Sequence, residues 1–331
     1  MKAIRIARTG GPEVLQLVEV PTPVPGPGQA LVKAHTIGVN MPEVLVRTGR
    51  YGWMPPLPVI PGIEMSGTIA ALGSGVDDFS VGQPVYVSAR ELPHRCGCYA
   101  EYIAVDTRAL VEVPPQVGLE AAATLASYQV AWHLLNSATR GFAYDSVLVT
   151  AAAGGIGSAC VQLAAAAGKQ AIALTSSAAK AEFARTMGAS AAVAQAEGDW
   201  GAKLHEATRG RGADLILDAV AGARFPKLFE QVAPFGLVIQ YGQLAGLPDS
   251  AAVYEAMRGQ FSRSPALRLF TMHSFDDDPA ARRACTVALL DLFAAGTVQP
   301  PIRQRLPLAE AARAHELLES GNVLGKLVLK P

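Results

Sequence analysis

Residues 146–180 read SVLVTAAAGGIGSACVQLAAAAGKQAIALTSSAAK, and the fold of this stretch decides the rest. An apolar run, 146–150, leads into small residues and glycines, then into a segment of helical period that Gly168 closes. A second apolar run, 171–175, follows at once. A buried strand that enters a helix through glycines aims backbone N–H groups and the positive end of the helix dipole at one point, which suits a pyrophosphate. At Gly154, Gly155 and Gly157 a Cβ would hold such a ligand off or push the helix from the strand. Ala153 and Ile156 complete the loop. Without a ligand, the same residues read as a tight turn.

Downstream, strands and helices keep alternating. AIALTS, AAVAQ, DLILDAV and LVIQYG are continuous apolar runs, as a parallel sheet covered on both faces requires. Strand, crossover helix, strand, repeated, predicts a doubly wound α/β unit. Gly242 and Gln243 of QYGQLAG then fall at the carboxyl edge of the sheet, where such folds bind ligands. Upstream the character is different. KAIRIA, ALVKAHTIGV, GTIAALG, PVYVSA and YAEYIAV are short strands separated by Gly and Pro, and PTPVPGPGQ is a stiff loop. That spacing predicts an all-β, barrel-like domain. Near residue 119 the chain becomes helical, in LEAAATLASYQVAWHLLNSA. The tail is expected to hold helices over 280–295 and 308–320 and a last strand, KLVLK.

Composition narrows the functional classes. Half of the 331 residues are hydrophobic and 17% are charged, enough for sizeable cores. Lys plus Arg equals Asp plus Glu at 28 each, so no basic field points to nucleic acid or an anionic membrane. No apolar run is long enough to span a bilayer, and MKAIRIA alternates like a strand rather than a leader. Four cysteines without framework spacing fit a reducing compartment, so the expected location is the cytoplasm.

The end of the second strand discriminates between dinucleotides. An acid there would bond a ribose 2′-hydroxyl. This chain has ALTSSAAK instead, in which Ser176 and Ser177 can donate to a 2′-phosphate and Lys180 can neutralise it. The expected cofactor is NADPH. The bland alternative is that Lys180 is a solvated residue of a first helical turn.

AAAGGIGSACVQLAAAAG, VGVNMPEVLVRTGRYG, PGIEMSGTIAALGSGVDDFSVGQPVY, YAEYIAV, GRGADLILDAVAG and GNVLGKLVLKP together resemble the medium-chain dehydrogenase/reductase superfamily. Within it, the chain is similar to the zinc-independent quinone oxidoreductase and enoyl reductase branch. The resemblance implies a GroES-like β-barrel catalytic domain over 1–122 and 277–331. It also implies an inserted Rossmann domain over 123–276 that binds NADPH. Zinc-dependent relatives carry Cys, His and Cys as catalytic ligands. Here Asn40, Ile63 and a residue near Ala126 stand at those positions, and only Cys96 and Cys98 fall where a structural zinc lobe would need four cysteines. No metal is expected.

Without a Lewis acid, alkoxide chemistry loses its usual support, whereas hydride addition to a polarised acceptor remains feasible. The resemblance therefore implies a small-molecule acceptor: a quinone, an enone or an enoyl thioester. Asn40 matches a family Asn near the nicotinamide, and is read as bonding the nicotinamide carboxamide or the substrate carbonyl, or as a loop anchor. Tyr51 matches a family Tyr at the acceptor site, and is read as a donor or as packing. Glu64 is read chiefly as an organiser of its strand end. Gly325 and Lys326 match a pair in which Lys reaches towards phosphate, a solvated Lys being the alternative. Leu45, Val130 and Gln195 depart from family Tyr, Thr and Tyr residues, which leaves the acceptor open. SPALRLF is an edge-strand candidate for a homodimer, as in relatives.

HRCGC, 94–98, gathers His and two Cys but supplies no fourth ligand. It is read instead as the end of a flap over 89–97 with oxidisable thiols. Two further functional readings stand beside the quinone or enone reductase. One is a trans-acting enoyl-thioester reductase of a polyketide or fatty-acid pathway. The other is a non-catalytic NADPH-binding protein of crystallin-like or sensing type.

Overall fold

The computed structural model describes residues 1–331. The chain divides into two compact units, residues 1–129 with 279–331, and residues 130–278. No helix is long and apolar enough to cross a membrane.

In the unit of residues 130–278, six strands form one parallel sheet. They are Ser146–Thr150, Gln170–Thr175, Ala191–Ala194, Ala213–Asp218, Val232–Gln240 and Ala266–Leu269. In space their order is third, second, first, fourth, fifth, sixth, the doubly wound arrangement. Every residue of Ser146–Thr150 and of Ala213–Asp218 is buried, which is why these strands read as unbroken apolar runs. The strand order reverses between these two, and ligands bind at such a switch point. There the Thr150 hydroxyl donates to Asp218 Oδ1 at 2.8 Å. The core beneath is built from Leu148, Ile172, Ile216 and Val238, with Phe225 and Phe229 packed edge to face at 5.7 Å.

The other unit holds a seven-stranded, mostly antiparallel sheet. Its path runs Ile302–Pro307, Lys326–Lys330, Gln29–Gly38, Glu64–Leu72, Pro84–Ser88, Leu110–Glu112, with Tyr102–Asp106 also paired to Gln29–Gly38. Lys2–Ile6 and Leu15–Glu19 form a separate antiparallel pair. The core joins Ile4, Val32, Ile37, Met65, Ile69, Val87 and Tyr99. Together the units give the α/β fold that the sequence indicates, a GroES-like β unit and a Rossmann-type parallel sheet.

Two local segments take a definite form. The segment from 119 is two helices, Leu119–Ala122 and Leu125–Leu135, because the Thr124 hydroxyl bonds the Ala121 carbonyl at 2.7 Å and turns the chain. Residues 89–97 are anchored at both ends. Both Glu91 oxygens accept from the Arg282 guanidinium at 2.7 Å, and the Cys98 and Tyr99 amides bond the Gly62 and Pro61 carbonyls. Burial pushes the Cys96 thiol up to about 11 and the buried Cys98 thiol well above its usual range, so neither is the ready thiolate that oxidation needs.

Candidate functional site

The glycine loop of the parallel sheet takes the expected form. Gly154 caps the helix Gly155–Ala166 with extended backbone, and its N–H bonds the Ala151 carbonyl at 3.0 Å. Gly154 and Gly157 differ in role. A Cβ on Gly157 would lie 2.3 Å from the Ala151 oxygen and 2.7 Å from Ala152 Cα, so Gly157 sets how closely helix meets strand. A Cβ on Gly154 would meet only the Ala151 oxygen, at 3.4 Å, which leaves that face of the loop as open backbone. Ala153 is buried beneath it, and Gly155 and Ile156 begin the first turn, whose N–H groups have no intrahelical acceptor.

Ser176 and Ser177 follow the strand Gln170–Thr175, and Lys180 lies in the first turn of the helix Ala178–Thr186. The structure brings two of the three together: Lys180 Nζ donates to Ser176 Oγ at 2.7 Å. No acid stands at this strand end. An open cleft of the same unit is lined by Thr150, Leu174, Gln195, Asp218, Ala221 and Arg224, among others. Arg224 donates to Gln195 Oε1 at 2.5 Å, and Asp218 accepts from the Ala221 amide at 2.7 Å. Burial raises the Asp218 carboxyl above its ordinary value. Sequence reasoning passed over Arg224 and Asp218, although an acid ending a buried apolar strand was a signal in plain view. Gly242 serves packing: a Cβ there would lie 2.5 Å from the Ala219 oxygen, where the loops after two neighbouring strands are bonded. Gln243 is exposed beside it.

In the β unit, Asn40, Glu64 and Lys326 meet. Asn40 Nδ2 donates to Glu64 Oε1 at 2.9 Å, and Lys326 Nζ lies 2.5 Å from Asn40 Oδ1, 3.2 Å from Glu64 Oε1 and 3.4 Å from the Val39 carbonyl. The Lys326 side chain is 3% exposed and that of Glu64 0%. Glu64 Oε2 accepts the Ala126 amide at 2.7 Å. Lys326 therefore engages neighbours inside its own unit, and its three N–H directions are matched by these three oxygens rather than turned outward to a phosphate. Gly325 has a structural reason as well: its φ is +67°, and a Cβ would lie 2.2 Å from the Pro301 oxygen.

Glu43 is a member the sequence did not reveal. Its carboxylate accepts from the Asn40 and Ile63 amides at 3.1 Å each. Burial raises its pKa from 4.5 to about 7. Tyr51 follows the helix Met41–Arg47 that Asn40 begins. It is half-buried against the core, with its ring 5.9 Å from that of Trp53. Gln129, adjacent to Val130, is engaged in the interior, donating to Thr286 at 2.6 Å.

These positions do not fit a catalytic zinc. Asn40, Ile63 and Ala126 offer neither thiolate nor imidazole, and the polar groups beside them already bond an ammonium. No group of three or more His, Cys, Asp or Glu side chains in the structure is arranged to hold a metal ion.

Comparison with known proteins gives a consistent picture. Residues 26–115 match the model of the alcohol dehydrogenase GroES-like domain, and residues 187–329 match one described as zinc-binding dehydrogenase. A quinone oxidoreductase of Pseudomonas aeruginosa is 32% identical over 333 residues, covering 100% of this chain and 99% of that protein. A 2-haloacrylate reductase of a Burkholderia species is 30% identical, covering 98% of each. The crystal structure of Escherichia coli quinone oxidoreductase complexed with NADPH superposes with a TM-score of 0.87 at 27% identity, covering 100% of both chains.

Proposed function

Since the chain belongs to the medium-chain dehydrogenase/reductase superfamily, in its quinone oxidoreductase-like branch, we propose that it is an NADPH-dependent reductase of quinones or α,β-unsaturated carbonyl compounds. The observation that carries the cofactor choice is the Lys180–Ser176 pair at an acid-free strand end, in a unit whose glycine loop opens a helix N-terminus. These residues fit a dinucleotide with a 2′-phosphate. NADPH, when bound, supplies a hydride to the electrophilic carbon of the acceptor, and a proton from solvent or a side chain completes the reduction.

The first-turn N–H groups of Gly155, Ile156 and Gly157 take the pyrophosphate charge. Ser176 and Lys180 hold the 2′-phosphate, with Ser177 beside them, and Gly242 and Gln243 stand at the carboxyl edge of the same sheet. One Asn40 Nδ2 proton remains after its bond to Glu64 and donates to a carbonyl oxygen on which negative charge develops. Tyr51 supplies a second donor to the acceptor. Lys326 supports Asn40.

The test is NADPH oxidation followed at 340 nm with a panel of quinones, enones and carrier-bound enoyl chains, repeated with NADH. Turnover of free quinones or enones with preference for NADPH supports the reading. Turnover of carrier-bound enoyl chains alone favours an enoyl-thioester reductase, which Leu45 in place of a family Tyr suits. Tight NADPH binding without any turnover favours a binding protein. The exposed edge of Ala266–Leu269 is proposed as a homodimer seam, to be checked by sedimentation.

A further inference from the structure

Asn40, Glu64 and Lys326 close a ring of hydrogen bonds. Asn40 Oδ1 accepts from Lys326, Lys326 donates to Glu64 Oε1, and Glu64 Oε1 accepts from Asn40 Nδ2. Lys has only donors and an ionised Glu only acceptors, so the ring admits one orientation of the amide. The flipped amide would face its NH₂ to an ammonium and its oxygen to a carboxylate. Each member is held at the same end of three neighbouring strands: Asn40 follows Gln29–Gly38, Glu64 begins Glu64–Leu72 and Lys326 begins Lys326–Lys330. Gly38 is required by this arrangement, since a Cβ there would lie 2.3 Å from Glu64 Oε1.

Burying such a pair is a poor way to gain stability, because desolvating the two ions offsets their attraction. What the pair provides is a fixed orientation at a half-buried residue. Asn40 touches the ammonium, Ile63 precedes Glu64, and the Ala126 amide donates to Glu64 Oε2.

We propose that Lys326 is a positioning residue for the reduction. Its ammonium, bonded to Asn40 Oδ1 and Glu64 Oε1, locks the Asn40 amide so that the remaining Nδ2 proton faces the acceptor carbonyl. The inference rests on the reductase reading, and Asn40 is the group that touches the acceptor.

The chain has asparagine only at 40, 136 and 322, so selective ¹⁵N-asparagine labelling gives three side-chain amide pairs. Asn40→Asp identifies the Asn40 pair by its loss. In Lys326→Met, the Asn40 amide protons are expected to exchange about tenfold faster, the equivalent of one net hydrogen bond. Turnover is expected to fall about tenfold or more, with the NADPH dissociation constant changed less than about threefold. In an Asn40→Ala background, the same substitution is expected to change turnover less than about twofold. If Lys326→Met leaves Glu64 too destabilised to fold, Lys326→Met/Glu64→Gln removes both charges and still deprives Asn40 Oδ1 of its charged partner. The amide exchange and turnover expected of that pair are the same. An unchanged Asn40 amide pair, or an equal loss of turnover in both backgrounds, overturns the proposal. A wild-type protein that binds NADPH and reduces no acceptor retires the reductase reading instead, and that result precedes any variant.

Discussion

The Lys180 ammonium lies 2.7 Å from the Ser176 hydroxyl, joining the first turn of one helix to the end of the strand before it. Both groups are donors with no acid beside them, the arrangement a 2′-phosphate would satisfy. Lys180→Ala is expected to raise the NADPH dissociation constant about tenfold or more while changing that of NADH less than about twofold, since a charge-assisted bond contributes roughly 1.5–3 kcal/mol. Fluorescence titration measures both constants, and equal effects on the two cofactors would remove Lys180 from the site.

Gly157 tests the loop's packing. Its Cβ would collide with the Ala151 oxygen and Ala152 Cα, both backbone atoms that cannot swing away. Gly157→Ala is expected to destabilise the protein by about 1–3 kcal/mol through overpacking and to weaken NADPH binding by shifting the helix N-terminus. Urea unfolding and cofactor titration check the two effects. Unchanged midpoint and affinity would mean that the helix yields freely.

Tyr51 is half-buried against the core, and its hydroxyl is tested on its own. Tyr51→Phe is expected to lower turnover about tenfold while leaving NADPH affinity nearly intact. Unchanged rates would make Tyr51 a packing residue.

Glu43 gives stability a pH dependence of known sign. Burial raises its carboxyl from 4.5 to about 7, against the opposing bonds from its own and the Ile63 amides. Between those values the folded state holds a proton that the unfolded state has released. Stability therefore falls as pH rises from about 4.5 through 7 and levels off above. Across that window the wild type is expected to lose on the order of 3 kcal/mol relative to Glu43→Gln, measured as the difference between their urea-unfolding curves. Parallel curves for the two proteins would contradict the raised carboxyl.

What could be read from the sequence follows the range of the interactions. The strand, glycine loop and helix at 146–166 are local, so apolar period and small residues identified them, and the doubly wound class followed from repeating that unit. Leu15–Glu19, Leu110–Glu112 and Ile302–Pro307 were missed because the first and last are largely exposed and the second is three residues long. Asn40 and Glu64 were noticed, but their junction with Lys326 depends on strand pairing across more than half of the chain. Glu43 reads as an ordinary acid in a first helical turn, and only the folded sheet reveals that it is buried. Gly325 signalled a phosphate contact by resemblance, whereas the Pro301 carbonyl beside it explains the glycine.

The central claim is hydride transfer from NADPH to carbon. Single-turnover reaction of the protein with NADPH deuterated at the transferred position of C4 and an α,β-unsaturated ketone, followed by mass spectrometry, tests it most directly. The expected product carries one deuterium at its β-carbon, with stoichiometric formation of NADP⁺. Recovery of unlabelled ketone and intact cofactor from a fully NADPH-loaded protein, across enones and quinones alike, would contradict the account.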